Sequence, residues 1–257
     1  MHIIVCIKSV IIRVPEGNKF LRSPETLDLN PFDRPALEVA LRMKKEQGGT
    51  VTAISMGPDT SKFSLFEAMS MGVDRGILIS DSALVGSDTL ITSKVLSAAI
   101  KKLNPFDIVL FGTMTADSDT GQVPYQTSVL LRIPLISGVV SYQIEEKNIK
   151  IERRIDEFHE KFSTVIPAAF TIRTGSFQVR DIELKGLEKA FENGKIEKWN
   201  LKDLGINSSE VGEKASPTKV ISIKRISKSR KCEFIPGTSE EQAEELINRL
   251  SSAGLIQ

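Results

Sequence analysis

The strongest constraint on this chain is a rhythm. Short runs that are apolar on both faces alternate with longer segments of helical pattern. Ile3 to Ile7 reads as a buried strand, and Pro35 to Lys45 follows with Ala36, Leu37, Val39, Ala40, Leu41 and Met43 along one helical face. Thr50 to Met56 repeats the strand, and Ser61 to Met71 repeats the helix, ending at Gly72. The alternation continues through a strand at Gly76 to Ile79 and a helix at Thr89 to Leu103. Asp107 to Phe111, closed by Gly112, is the next strand, then a helix from Gly121 to Leu131 and a strand from Leu135 to Val140. A strand without a polar side must be covered on both faces, which antiparallel meanders rarely achieve and helix crossovers do. The pattern predicts an α/β fold with a doubly wound, mostly parallel, Rossmann-like sheet.

The rhythm changes after residue 140. Tyr142 to Glu145 and Asn148 to Glu152 alternate around Glu146-Lys147, which suits a two-stranded antiparallel hairpin over about 141–152. Ala168 to Arg173 is expected to return to the main sheet as a last strand. Gly175 to Lys198 is charge-rich and weakly periodic. Ser208 to Thr218 is polar, carries Gly212 and Pro217, and reads as a linker. A final helix is expected over Ser239 to Ser251, with Ser239 as its N-cap and Glu241-Gln242 in its first turn. The division implied is an α/β domain over 1–207 and a linker with a helix over 208–257. A compact core with an extended tail is a shape suited to holding a partner.

Charge excludes one broad class. The 34 Lys and Arg against 33 Asp and Glu leave a net charge of +1, without the basic excess that a phosphate-tracking nucleic-acid surface leaves. The 2 cysteines, Cys6 and Cys232, cannot build a disulfide framework. The start of the chain lacks a basic segment followed by a secretory apolar run, and no stretch reaches the ~18 apolar residues of a membrane span. Cytoplasm is the expected location.

In an open parallel sheet, ligands bind where strand ends lead into helices. Three loops stand there. The first runs from strand one to Leu29-Asn30-Pro31-Phe32-Asp33-Arg34-Pro35, and the second is Ser55-Met56-Gly57-Pro58-Asp59-Thr60. The third is Phe111-Gly112-Thr113-Met114-Thr115-Ala116-Asp117-Ser118-Asp119-Thr120-Gly121-Gln122, with Val123 next. Small and hydroxyl residues ahead of a helix leave backbone N–H groups for phosphate, and Asn30 and Met56 suit an adenine pocket. An ordinary strand–helix turn is the competing reading for any one loop; three at one sheet edge favour a nucleotide. The catalytic inventory is thin. His2 and His159 read as surface histidines, Cys6 as a core thiol, Asp117/Asp119 as a turn and helix cap, and Asp156/Glu157 as a solvated face. No metal spacing, triad, Walker loop or G-x-G-x-x-G run appears, so the chemistry of such a chain would belong to a bound cofactor.

These residues resemble the β subunit of electron-transfer flavoproteins over nearly the whole chain. The matching pieces are Val5-Cys6-Ile7-Lys8, Leu29-Asn30-Pro31-Phe32-Asp33, Ala68 through Gly76, and the Phe111-Gly112 loop with Asp117, Asp119, Thr120, Gly121 and Gln122. Arg153-Arg154-Ile155-Asp156, then Val165-Ile166-Pro167-Ala168, Leu184-Lys185-Gly186-Leu187-Glu188-Lys189-Ala190 and Asp203-Leu204-Gly205 continue in the family's order.

The resemblance implies a heterodimer with an α subunit that holds FAD, a non-catalytic carrier role, and a dehydrogenase partner of the acyl-CoA type. It implies AMP or a second FAD in a β-subunit pocket of Cys6, Asn30, Phe32, Asp33, Met56, Gly112, Asp117, Asp119, Thr120, Gly121, Gln122 and Val123. Ser55-Met56-Gly57-Pro58 and the Ser87-Asp88-Thr89 run resemble the electron-bifurcating group, which favours FAD there and makes NAD(H) a further ligand of the complex. Ser118, Gly121 and Pro124 depart from that group's pattern. Leu184, within a partner-recognition segment over about 176–198, aligns with the leucine that the family inserts into its dehydrogenase, and the 208–257 tail would pack on the α subunit. Two other readings of the fold are an adenine-nucleotide hydrolase or ligase and a nucleotide-sensing stress protein. The first calls for a Gly-rich phosphate loop that Lys8 to Val14 lacks, and the second for a chain ending soon after the sheet.

Overall fold

A computed structural model describes residues 1–11, 26–146, 148–221 and 232–256. Part of the expected first loop, residues 12–25, and part of the expected C-terminal tail, residues 222–231, lie outside the described residues. The chain forms two compact units, Met1–Lys219 and Val220–Gln257.

The first unit opens with β1 (His2–Ile7), the short antiparallel pair β2 (Ser9–Ile11) and β3 (Leu27–Leu29), and α1 (Arg34–Gln47). It continues through β4 (Thr50–Met56), α2 (Lys62–Met71), β5 (Arg75–Ile79), α3 (Thr89–Lys102), β6 (Ile108–Gly112) and α4 (Val123–Leu131). Then come β7 (Leu135–Glu145), β8 (Asn148–Ile155), β9 (Phe158–Val165), β10 (Ala168–Ile172), α5 (Leu184–Asn193), β11 (Ile196–Trp199) and the single turn α6 (Gly212–Ala215). The 9-stranded sheet has the order β11-β5-β4-β1-β6-β10-β7-β8-β9, parallel from β11 to β7 and antiparallel beyond. This is the doubly wound α/β fold that the two-faced strands required.

Alternation along β1 builds both cores at once. Ile3, Val5 and Ile7 pack with Leu37 of α1 and Leu65 of α2, while Ile4 and Cys6 pack with Ile91 and Val95 of α3 on the opposite face. The chain winds outward from β1 through β4 to β5, then returns to place β6 on the other side of β1. The switch point of the sheet therefore lies between the carboxyl ends of β1 and β6, where an α/β sheet opens its ligand crevice.

Four expectations need correction. The hairpin is a three-stranded antiparallel extension, because β7 runs unbroken from the parallel core and β9 pairs with β8 from Asn148↔Val165 to Ile155↔Phe158. Glu160, Phe162 and Thr164 take the more enclosed positions of β9, so two polar residues hide its period-2 pattern. The returning strand β10 is inserted between β6 and β7 and is not the last, since β11 joins the far edge beside β5.

Third, residues 208–218 are a packed part of the first unit and not a linker, with Val211 and Ser216 buried; the unit boundary follows Lys219, not residue 207. Fourth, the helix of the second unit, α7 (Ser239–Ser252), is capped by Thr238 and not by Ser239. Thr238 and Glu241 form a capping box, the Thr238 N–H donating to Glu241 Oε2 at 2.8 Å.

Candidate functional site

Asp33 sits in the last turn before α1, with Pro35 preset for the helix start. Its carboxylate accepts the Lys8 N–H at 2.8 Å and the Gly112 N–H, so one buried side chain ties the end of β1 to the end of β6. The approach is close. A Cβ at Gly112 would stand 2.3 Å from Asp33 Oδ1 and 2.5 Å from the Phe32 carbonyl, so only glycine fits. Asn30, also buried, donates its Nδ2 to the Met114 carbonyl at 2.9 Å and accepts the Ala116 N–H at 3.2 Å. The first loop thus clamps the third.

Burial pushes the Asp33 carboxyl up from 3.8 to about 7, against the opposing pull of the Lys8, Asn30 and Gly112 hydrogen bonds. The native state then holds a proton that the unfolded chain has lost between about pH 4 and pH 7. Since stability rises with pH only where the unfolded state binds more protons, Asp33 makes stability fall as pH rises through that window. Asp33→Asn is expected to flatten this slope. Chemical denaturation of both proteins at several pH values checks it, and an unchanged slope refutes the assignment to Asp33. Burial first, and the Asp33 charge second, also push the Cys6 thiol up, so Cys6 stays a neutral thiol.

The third loop is pinned at its middle by Lys8 Nζ on Asp117 Oδ1 at 2.6 Å. Asp119 and Gly121 both take positive φ, 51° and 60°, and turn the chain into α4. Asp119 shapes the turn through its N–H on the Thr115 carbonyl, but α4 starts after Gln122 with no side-chain cap, so the expected capping role is absent. The N–H groups of Thr120, Gly121, Gln122 and Val123 make no hydrogen bond among the described residues. Consecutive free N–H groups at a helix N-terminus form an anion-binding concavity.

Sequence-predicted residues therefore meet in two groups: Asn30, Asp33 and Gly112 in direct contact, and Asp117 to Val123 as the loop they hold. Met56 ends β4 one strand away and packs with the layer that contains Cys6, and Phe32 is half-buried beside Gly112. His159 is exposed, whereas His2 is bound, its ring nitrogens 3.0 Å from the Pro105 carbonyl and from Thr52 Oγ1. Asp156 and Glu157 form an exposed turn. Sequence reasoning missed the ionic role of Lys8, although it directly follows a buried strand end at the switch point. Thr89 stands in the run that the sequence singles out, but not its contact: its hydroxyl donates to Gln122 Oε1 at 3.1 Å. Among the described residues, no group of 3 or more His, Cys, Asp or Glu is placed to hold a metal, and no helix is long and apolar enough to cross a membrane.

The segment before and through α5 differs from its expectation as an irregular charged stretch. Phe177, Val179 and Ile182 pack on the core, and Ala190 is buried. Glu38 of α1 holds the segment down, accepting Arg180 Nε at 2.7 Å and Arg42 Nε at 2.6 Å. Burial raises the Glu38 carboxyl, but the two guanidinium groups outweigh it and keep the group ionised below the usual range. Phe191 stacks on Phe66 of α2 at 4.8 Å, and Gly186 lies against the Ser70 carbonyl, where a Cβ would come within 2.3 Å. Leu184 is the first residue of this seated helix and is 84% exposed, with Leu187 and Phe191 also exposed along α5.

Residues 19–204 match the protein family described as electron transfer flavoprotein domain. The chain is 34% identical to the electron transfer flavoprotein subunit beta of Thermoanaerobacterium thermosaccharolyticum, over 100% of both chains. It is 34% identical to the caffeyl-CoA reductase-Etf complex subunit CarD of Acetobacterium woodii, again over 100% of both. It is 38% identical to protein FixA of Azotobacter vinelandii over 86% of this chain and 82% of that one.

Proposed function

This chain belongs to the electron transfer flavoprotein family as a β subunit, and from that premise we propose that it pairs with an α subunit, holds its own FAD at the switch point, and relays electrons from dehydrogenases of the acyl-CoA type. The observation that carries the cofactor reading is the cradle between β1 and β6. A position where even a methyl group has no room brings Asp33 and the Asn30 clamp against a loop presenting four free N–H groups. In this reading a cofactor's adenine lies beside Asn30 and Met56, and its phosphate is received by the N–H groups of Thr120 to Val123. When bound, a flavin supplies the electron-carrying chemistry. The residues of this chain bind and orient it, and Lys8 and Asp117 hold the loop in place.

AMP satisfies the same adenine and phosphate contacts. The bifurcating-group resemblance of Ser87-Asp88-Thr89 favours FAD, and Thr89 stands against Gln122 of the phosphate loop. NAD(H) would be a ligand of the complex. The tail supports the α-subunit reading: α7 has no buried residue, while Leu246 and Ile247 are exposed along it and Phe234 precedes it, 94% exposed. A 14-residue helix gains little stability by itself in water, so the exposed apolar positions of α7 suit a partner.

Acid extraction of the purified αβ complex followed by chromatography tests the cofactor. Two flavins per heterodimer are expected, one in each subunit. One flavin with one AMP would refute FAD in the β pocket and leave the carrier role standing. A colourless complex would overturn the carrier role itself.

A further inference from the structure

Residues 211–218 close over the start of α3 as a strap. The buried Ser216 hydroxyl accepts the Asp88 N–H at 2.9 Å and donates to the Gly212 carbonyl at 2.8 Å. One oxygen of Asp88 accepts the Ile91 N–H at 3.0 Å and so caps α3. The other accepts both the N–H and the hydroxyl of Thr218, at 3.0 and 2.7 Å. The Gly212 N–H donates to Ser87 Oγ at 3.2 Å and the Glu213 N–H to the Val85 carbonyl at 3.1 Å. Gly212 has φ +75°, and a Cβ there would stand 2.3 Å from the Ala83 carbonyl, so the strap lies as close as glycine permits.

The same turn of α3 touches the phosphate loop on its other side. Thr89, next to Asp88, donates its hydroxyl to Gln122 Oε1 at 3.1 Å; the Ser93 hydroxyl is nearest the Thr89 carbonyl, at 2.7 Å, with Gln126 Oε1 at 3.1 Å and the Val123 carbonyl at 3.3 Å. The first turn of α3 thus touches two segments far apart in sequence, Asp88 bonding the strap and Thr89 the phosphate loop. The strap ends where the first unit ends, since Lys219 follows Thr218.

We propose that the 211–218 strap is a positioning element for the nucleotide loop, with Thr218 as its positioning residue: through Asp88 it fixes the first turn of α3, and through Thr89 that turn holds Gln122, and with it Val123, in the conformation that receives phosphate. The inference rests on the nucleotide reading of this loop and adds its regulation by the point where the chain enters the C-terminal unit. Coupling of this kind is reciprocal. A strap that favours the binding-competent loop is itself tightened when the loop is filled.

The test uses the αβ complex freed of its β-site nucleotide, with AMP as the probe. T218V removes one hydroxyl, at a residue outside the candidate pocket, and is expected to weaken AMP binding ~5-fold, at the lower end of typical coupling. T218S keeps the hydroxyl and is expected to restore affinity. Hydrogen exchange supplies the reciprocal readout: AMP should slow exchange across 211–218 in the wild type and not in T218V. Equal AMP affinity in wild type and T218V, with exchange across the strap indifferent to AMP, would overturn the proposal. If the wild type binds no AMP and no FAD, the nucleotide reading fails. Exchange at Gln122 and Val123 then decides the strap alone: faster exchange in T218V upholds the coupling, and unchanged exchange refutes it.

Discussion

Gly112→Ala is expected to lower the melting temperature by roughly 6–12 °C and to leave the β subunit without its adenine cofactor. The added methyl has nowhere to go, because its two nearest neighbours are a buried carboxylate oxygen and a backbone carbonyl rather than a flexible side-chain tip. Overpacking of this kind costs ~3 kcal/mol, and each kcal/mol moves the midpoint of a domain this size by ~2–4 °C. Relief requires Asp33 to retreat, which releases its bonds to Lys8 and Gly112 and opens the switch point. Gly121→Phe provides the contrast. Gly121 has φ +60°, and its Cβ would meet only the Thr113 carbonyl, at 3.2 Å. The strain is local to the phosphate loop, so this variant should lose nucleotide with a far smaller loss of stability. Differential scanning calorimetry with quantification of released nucleotide separates the two. Full occupancy in Gly121→Phe would sink the loop assignment, and an unshifted midpoint in Gly112→Ala would sink the close approach.

What the sequence makes legible here is what is written locally. Ile3 to Ile7 has no polar side, so it announces a strand buried on both faces, and the helical stripe of α1 is equally direct. The loops at strand ends follow from that rhythm, which is why residue order alone singles out Asn30, Asp33 and the Asp117 to Val123 loop. Non-local pairing leaves no such mark. Nothing in Ala168 to Ile172 says that it enters between β6 and β7, and β11 is a short edge strand whose two apolar residues, Ile196 and Trp199, flank two charges. The 208–218 segment reads as a linker because serine, threonine and glycine are linker residues. Here the same residues supply hydroxyls and close backbone approach to a partner far away in sequence. The Gly112–Asp33 approach is hidden for the same reason: the glycine is visible, its neighbour is not.

Leu184→Ala is expected to slow reduction of the complex by its partner dehydrogenase about 10-fold or more, while flavin content and αβ assembly stay unchanged. A single exposed leucine needs no explanation by itself. This one opens a helix that is held from three sides, by the Glu38–Arg180 ion pair, the Gly186 contact on Ser70 and the Phe66–Phe191 stack. So much support behind an 84% exposed side chain suits a rigid projection rather than a loose segment. Its truncation costs the free subunit little, since surface changes stay within about 0.5 kcal/mol, and alanine suits a helix. On the partner, full burial of a leucine is worth ~1.5–3 kcal/mol, which is about 10–150-fold in kcat/KM if the contact is made. A small apolar anchor among charges fits a transient electron-transfer interface, where contact areas are low and release must be fast. Stopped-flow reduction of the variant by its dehydrogenase measures the effect. An unchanged rate would make Leu184 incidental, and dissociation of the αβ complex would assign α5 to subunit assembly instead.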